Sequence, residues 1–596
     1  MTIDLARRVQ ARYVPVSDGV RLAVDVWLPV ERIARGERVG TAFRATRYHR
    51  AELPPGPEPE SDSNHAAGEL WNSAGFALVV VDARGTGASF GSRTMELGPR
   101  EIADYGELID WVAAQPWSNG RVGLFGSSYE GQAAELVAGL GNPHVTAVAA
   151  LFSPVDPYRE LFYPGGCAAG GRFARWMCES QIKDSVAGAV ERLSELTGRP
   201  AEEFTPPTPV KGVDGPDGPT LLQAAIGEHQ ANVDMQKLLG RAAFSDDCLP
   251  GLDWQATTPA DVRQAIEATG VPMLIRAGWL DGAFAAGALR RLATFANQQE
   301  VEIGPWGHGG GTYADTLRPD GTLAGDLLVP EGQDRRLVEF FTRYVERAER
   351  PDGKRSLTFG TLGTDQWQAV SSWPPEGACL RSWYLTSSGR LASEAGSAAN
   401  LRHVVEPAAS TGPTNRWLAV DLGRGTAYPD RRNADEALLT FTSEPLPADL
   451  HVAGFPVISL RLATSGSDGA IYAYLEDVAP DGKVTYLTEG CLRFLHRATT
   501  GPAEPTRLGV PRSFARADRL AVEPGQDLDV AVELLPIAAL LRAGHKIQVA
   551  LGGHDAACFD RYGPPDETFT VQLGDHSTLD LPILASGSVS RATPQA

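Results

Sequence analysis

The chain has 596 residues, too many for one ordinary domain. Its 43% hydrophobic and 21% charged content is that of a globular protein and excludes a disordered or fibrous chain. A net charge of −20 and a pI near 5.1 disfavour nucleic acid or an anionic membrane surface as partners, since both repel an acidic protein.

The first predicted element is a strand over Val20–Leu28. There Leu22, Val24, Val26 and Leu28 alternate with other residues, after the turn signal Ser17-Asp18-Gly19. Phe76–Val81 is a continuous apolar run, as in a strand covered on both faces. Ile102, Tyr105, Leu108, Ile109 and Val112 follow at helical spacing, and Pro116 ends that helix. Val122–Phe125 reads as a strand, the alanine-rich Gly131–Leu140 as a helix and Val145–Phe152 as a strand. This alternation is that of an α/β domain, expected over residues 1–155. Residues 156–260 interrupt it with Pro164-Gly165-Gly166, a Pro-rich stretch from 206 to 219 and helical segments, and read as a helical cap inserted over a site. Val271–Ala277 and Val301–Ile303 resume the α/β pattern through residue 350. From 351 to 596 short alternating strands dominate, such as Leu528–Leu534, Ile547–Leu551 and Phe569–Leu573, and predict an antiparallel β-sandwich.

Six cysteines lie far apart with no CxxC, so buried free thiols are expected rather than disulfides or a zinc site. No apolar run reaches the ~18 residues that cross a bilayer, and residues 1–10 lack the apolar core of a signal peptide. A cytoplasmic protein is the expectation. No Walker A sequence and no HExxH pattern occurs, and neither a metal nor a cofactor is expected.

The strongest local motif is Gly126-Ser127-Ser128-Tyr129-Glu130-Gly131, between a strand and a helix. That is the context of a nucleophile elbow, a sharp turn that exposes a serine above the sheet. The usual second glycine, two residues after the serine, is Glu130 here, with Gly131 one later. On the motif alone, an elbow and an ordinary βα-turn serine are both open. A serine needs an oriented base, and the order in such folds is Ser, acid, His on loops after successive strands. Asp281, in Gly278-Trp279-Leu280-Asp281-Gly282, follows Val271–Ala277. His308, in Gly304-Pro305-Trp306-Gly307-His308-Gly309-Gly310, follows Val301–Ile303. Of eleven histidines, His308 alone combines a strand end, a glycine-rich loop and the right order. His144, His229 and His554 read as surface or core polar residues. Asp82-Ala83-Arg84-Gly85-Thr86-Gly87 mimics a dinucleotide fingerprint, but Phe90 stands where its third glycine belongs, so a tight βα turn with Arg84 bonded internally is expected.

These motifs, with Asp18-Gly19-Val20-Arg21-Leu22 and the Asp82…Gly91 turn, make the chain resemble the cocaine-esterase and X-Pro dipeptidyl-peptidase family (CocE/NonD-type serine hydrolases) over essentially its whole length. The resemblance implies an α/β-hydrolase core with an inserted helical cap and a C-terminal jelly-roll-like domain. It implies Ser128 as nucleophile, His308 as base and Asp281 as its orienting acid. It also implies an oxyanion hole made of the Tyr129 N–H and the hydroxyl of Tyr48, and a cap tryptophan, Trp176, against the substrate. Read from the residues alone, Tyr48 is an interfacial aromatic. Trp279 and Phe284 are further expected pocket aromatics, because ester pockets are mostly apolar.

The resemblance implies that relatives acting on α-amino acyl groups hold the ammonium with acidic residues, some of them just after the catalytic Asp. Here Gly282, Ala283 and Phe284 follow, which favours a neutral or aromatic ester, although an acid from the cap would restore an ammonium site. The expectation is an esterase acting on a small molecule. Amide or X-Pro peptide hydrolysis and acyl transfer are alternatives at the same site, a non-catalytic binding protein is a third reading, and a homo-oligomer remains open.

Overall fold

The computed structural model describes residues 3–53, 64–204, 210–323, 328–422, 425–503, 508–584 and 591–592. Residues 206–209 of the Pro-rich stretch lie outside the described residues.

The first sheet contains β1 (Val9–Pro15), β2 (Arg21–Trp27), β3 (Val39–Thr46), β4 (Ala77–Asp82), β5 (Ser118–Ser127), β6 (Val145–Leu151), β7 (Met273–Gly278), β8 (Gln299–Gly304), β9 (Arg355–Gly360) and β10 (Trp367–Val370). Its order is β1-β2-β4-β3-β5-β6-β7-β8-β9-β10, closed by Arg591–Ala592. From β4 to β9 neighbouring strands are parallel, while β1, β2 and β10 pair antiparallel. The continuous apolar run of β4 is explained by its two covered faces. Ala77, Val79 and Val81 join a core with Tyr105, Leu108, Leu136 and Leu289, while Leu78 and Val80 pack with Trp71, Phe340 and Phe341 on the other side.

The chain passes from β3 out to β4 on one side, and from β5 out to β6 on the other. The carboxyl ends of β3 and β5 therefore flank a topological switch point, where crossovers diverge and leave a crevice. Tyr48 lies just past β3 and Ser128 just past β5. Above this edge sits the insertion, with helices Gly170–Lys183, Ala189–Thr197 and Gly218–His229 and a short hairpin, Cys248–Leu249 with Leu252–Asp253.

The sheet runs past residue 351, where the sequence places a domain edge, because β9 pairs in parallel with β8 from Gln299↔Arg355 onward. The remaining chain forms a 13-stranded sheet assembly among the described residues. All its pairings are antiparallel except Arg390–Ala392 with Leu439–Ser443. The fold is an α/β-hydrolase core joined to a C-terminal all-strand domain. The two are tightly apposed: a Cβ on Gly165, at the start of the cap, would collide with the Cys491 carbonyl of the strand domain.

Four cysteines are buried, but Cys248 and Cys379 are exposed, so the expectation of uniformly buried thiols is corrected. Cys248 is exposed in the cap hairpin, and Cys379 occupies a poorly covered stretch of the strand Ala378–Leu385. Arg84 forms the expected internal bonds, two to Asp104 at 2.8 Å each and an ion pair with Asp18 at 2.8 Å. His144, His229 and His554 each bond backbone carbonyls.

Candidate active site

Ser128 occupies φ 61° and ψ −122°, between β5 and the helix Tyr129–Ala138. A non-glycine residue in this region carries strain on the order of 1–3 kcal/mol, which only a constrained turn maintains. The constraint is steric. A Cβ on Gly126 would overlap the Glu130 Cβ, and one on Gly131 would lie 2.8 Å from the Gly126 carbonyl and from Ser153. Glu130 at the position of the usual glycine is tolerated because Gly126 presents no side chain to it. The Ser128 N–H is tied to the Leu151 carbonyl at 2.9 Å. Tyr129 opens the helix, where the first N–H groups have no intrahelical acceptor and the dipole favours negative charge.

Asp281 and His308 come together through the ends of β7 and β8. The two loops touch at the backbone: a Cβ on Gly278 would strike the Trp306 carbonyl, and the Trp279 N–H donates to Gly304 at 3.0 Å. Both oxygens of the buried Asp281 carboxylate lie 3.0 Å from Nδ1 of His308. The imidazole lies between Phe284, at 5.5 Å between ring centres, and Phe152, at 6.3 Å.

Ser128, Tyr129, Tyr48, Trp176 and His308 line one cavity of about 410 Å³ beneath the cap. The Trp176 indole donates to the Tyr48 hydroxyl at 3.3 Å. Burial pushes the Tyr48 phenol up to about 12, against a downward pull from Arg47, so it remains protonated at neutral pH. Asp184, at the C-terminal end of the helix that carries Trp176, bonds Arg47, Arg93 and Thr86. Burial acts to raise Asp184, but Arg93 and Arg47 hold it below the usual carboxylate range. The Tyr129 hydroxyl donates to Glu101, which also accepts from Tyr105 at 2.8 Å. Burial raises Glu101 to about 7.

Two expected pocket residues are corrected. Trp279 is fully buried, its Nε1 donates to the Gly360 carbonyl at 2.7 Å, and it packs on Phe359 and Trp373. Phe284 is fully buried beside the imidazole. Neither lines the cavity; Phe162, Phe173, Met235, Leu252 and Trp254 of the insertion do. These were not singled out from the sequence, and the insertion is no richer in aromatic residues than the chain as a whole, so composition gives no signal for them.

Three carboxylates that lie far from Asp281 in sequence also reach the cavity wall: Glu96, Glu130 and Glu179. Each has an arginine within 4 Å. Glu96 lies 3.4 Å from Arg47 and 3.5 Å from Arg93, Glu130 lies 3.9 Å from Arg44, and Glu179 lies 2.9 Å from Arg175. Among the described residues no group of three or more His, Cys, Asp or Glu is placed to hold a metal ion. No helix there is long and apolar enough to cross a membrane.

Comparison with known proteins identifies the family. The chain matches the family model of the X-Pro dipeptidyl-peptidase (S15 family) over residues 18–310. It matches the X-Pro dipeptidyl-peptidase C-terminal non-catalytic domain over residues 350–585. A candidate serine esterase of Mycobacterium bovis is 32% identical over 620 residues, covering 97% of this chain and 95% of the relative. The chain belongs to the S15 family of serine hydrolases. Within that family, the cocaine esterase of a Rhodococcus strain is 25% identical over 575 residues, covering 92% of this chain and 91% of that one. A CocE/NonD family hydrolase from Staphylococcus aureus shares the fold, with a TM-score of 0.68 at 17% identity, covering 97% and 93% of the two chains. The sequence-based family assignment therefore stands.

Proposed function

We propose that the protein hydrolyses a neutral carboxylic ester through an acyl-enzyme on Ser128. The observation that carries this reading is Asp281 bonded through both oxygens to His308 Nδ1, with His308 and the strained Ser128 on one cavity wall. Ser128 Oγ attacks the ester carbonyl carbon while His308 Nε2 takes its proton. The developing oxyanion accepts from the Tyr129 N–H and the Tyr48 hydroxyl. Collapse expels the alcohol, which receives the proton from His308. Water then attacks the acyl carbon with His308 again as base, restoring Ser128.

Ester over amino-acyl substrate is favoured by the ion pairing of the wall carboxylates. An ammonium group would have to compete with arginines already beside Glu96, Glu130 and Glu179. The apolar faces of Phe162, Phe173, Trp176 and Trp254 suit an aromatic or aliphatic group.

The test is a panel of aryl esters, amino-acid esters and Xaa-Pro amides assayed on wild type and Ser128→Ala, with fluorophosphonate labelling of both. Fast aryl-ester turnover and labelling confined to wild type are expected. Equal labelling of Ser128→Ala would sink the mechanism. Faster turnover of Xaa-Pro amides would replace ester by peptide hydrolysis at the same site.

A further inference from the structure

The loop carrying Asp281 is held from outside its own domain. Arg416, in the C-terminal half of the chain, is fully buried. Its Nη2 donates to the Trp279 carbonyl at 2.6 Å and its Nε to the Gly282 carbonyl at 2.7 Å. Its own carbonyl accepts the Gly282 N–H at 3.1 Å. Ten residues on, the Thr426 hydroxyl donates to the Leu280 carbonyl at 3.0 Å. The backbone on both sides of Asp281 is thus pinned by the segment containing Arg416 and Thr426, leaving the carboxylate to face His308.

We propose that Arg416 is a positioning residue for the catalytic acid, so that the strand domain is part of the catalytic machinery. This rests on Asp281 acting as the orienting acid of the proposed triad.

The chemistry of the contact suits positioning. A guanidinium is a rigid planar fork, so two carbonyls bonded to Nε and Nη2 are held at a set separation and angle; an ammonium offers no such template. Gly282, held by Arg416 through both its N–H and its carbonyl, takes φ 48°, a left-handed backbone conformation directly after Asp281. Arg416 is itself fixed, its N–H donating to the Tyr428 hydroxyl at 2.9 Å. Neighbouring Asn415 accepts the N–H groups of Trp417 and Leu418 at 3.0 Å each. The acid of a triad works by holding the imidazole's tautomer and direction, and a misplacement of about 1 Å costs on the order of 10²-fold in rate.

An ordinary interface residue makes a different prediction: its loss lowers the melting temperature and leaves turnover below that temperature untouched. The deciding experiment uses the full-length enzyme with an aryl ester. Arg416→Ala is expected to lower kcat by about 10²-fold. KM should stay within about twofold, since Arg416 does not line the substrate cavity. Guanidinium ion at sub-denaturing concentration should recover kcat in Arg416→Ala and not in wild type. Thr426→Val, a milder change, should lower kcat several-fold with an unchanged circular dichroism spectrum. A folded Arg416→Ala with wild-type kcat, or a loss that guanidinium does not raise, overturns the proposal. Should Arg416→Ala not fold, Arg416→Lys and Thr426→Val decide, and wild-type kcat in both overturns it. Asp281→Asn separates this inference from the reading beneath it. If Asp281→Asn keeps full activity, the triad itself is wrong. If it is inactive while the Arg416 and Thr426 variants are not, only the clamp is wrong.

Discussion

The Trp176 indole N–H donates to the Tyr48 hydroxyl oxygen at 3.3 Å, joining the cap to the loop after β3. A phenol that accepts one bond keeps its own proton to donate elsewhere. Burial has raised that phenol to about 12, so the proton stays in place at working pH. The Arg47 guanidinium lies 5.1 Å over the Trp176 ring and is bonded to buried Asp184 at 3.0 Å, which fixes the indole from behind. The cap thereby sets the direction of the hydroxyl expected to hold the oxyanion.

Tyr48→Phe is expected to lower kcat by about 10²- to 10³-fold with little change in KM, the cost of losing one oxyanion donor. Trp176→Phe keeps an aromatic ring in the wall and removes only the N–H, so a loss of roughly fivefold is expected, the net worth of one hydrogen bond. The double variant should be no slower than Tyr48→Phe, because Trp176 acts through the phenol. Steady-state kinetics of the four proteins measures this, and fully additive losses would show that the two side chains act separately.

Trp279 and Phe284 give a contrasting expectation. Neither reaches the cavity, so Trp279→Phe should leave KM unchanged while lowering stability by about 1–3 kcal/mol, because the Gly360 carbonyl loses its donor. Trp254→Ala, in the cavity wall, should instead raise KM for an aryl ester several-fold. Thermal melts and Michaelis curves on the two variants separate these effects. A large KM change in Trp279→Phe would return that residue to the pocket.

Why some of this was legible in the sequence and some was not follows from where each residue sits. Ser128 and Asp281 follow strands with mainly apolar stretches, Val122–Phe125 in β5 and Met273–Ile275 in β7, and His308 follows the shorter Val301-Glu302-Ile303 of β8, where the glycine-rich loop is the stronger signal. Chain order alone then places their loops along one sheet edge. The strand β3, which delivers Tyr48, was missed because Gly40 and the half-buried Arg44 interrupt its apolar pattern. Direction was also hidden. Trp279 and Asp281 are two residues apart, yet the tryptophan turns to Gly360 and the carboxylate to His308. No spacing rule encodes that difference. The pocket wall is assembled from residues between 48 and 420, and six of them, Arg172, Phe173, Trp176, Glu179, Ser180 and Lys183, recur at helical spacing on the one helix Gly170–Lys183, where period alone does not say whether a face meets a core or a cavity.

The six thiols should divide sharply in the native protein. Cys248 and Cys379 are exposed, while Cys167, Cys178, Cys491 and Cys558 are buried. Burial also raises the thiols of Cys178 and Cys558, which suppresses the reactive thiolate. A brief native reaction with iodoacetamide, read by intact mass and peptide mapping, should label two sites and leave activity unchanged. All six should react after denaturation. Rapid native labelling of Cys558 would contradict the packing described.

Glu160 gives a stability test with a defined sign. It stands in the π-helical turn Tyr158–Phe162 that opens the cap, fully buried, with Oε2 accepting the Val155 N–H at 3.0 Å. Its carboxyl packs on Gly287, where a Cβ would collide with it. Burial raises its pKa from an ordinary 4.5 to about 8, against a downward pull from Arg291 and Arg290 and with some help from Asp156. The folded protein therefore holds a proton that the unfolded chain releases above about pH 4.5. The associated stability is fully present below that pH and is lost as pH rises toward 8. Glu160→Gln carries no such proton. Between pH 5 and pH 8 wild type should lose on the order of 2–4 kcal/mol of stability relative to Glu160→Gln. The difference in melting temperature between the two proteins, followed across that range, should move steadily in favour of the variant. A difference that does not change with pH would mean that Glu160 is ionised in the folded protein and that its Oε1, which has no hydrogen-bond partner among the described residues, is solvated.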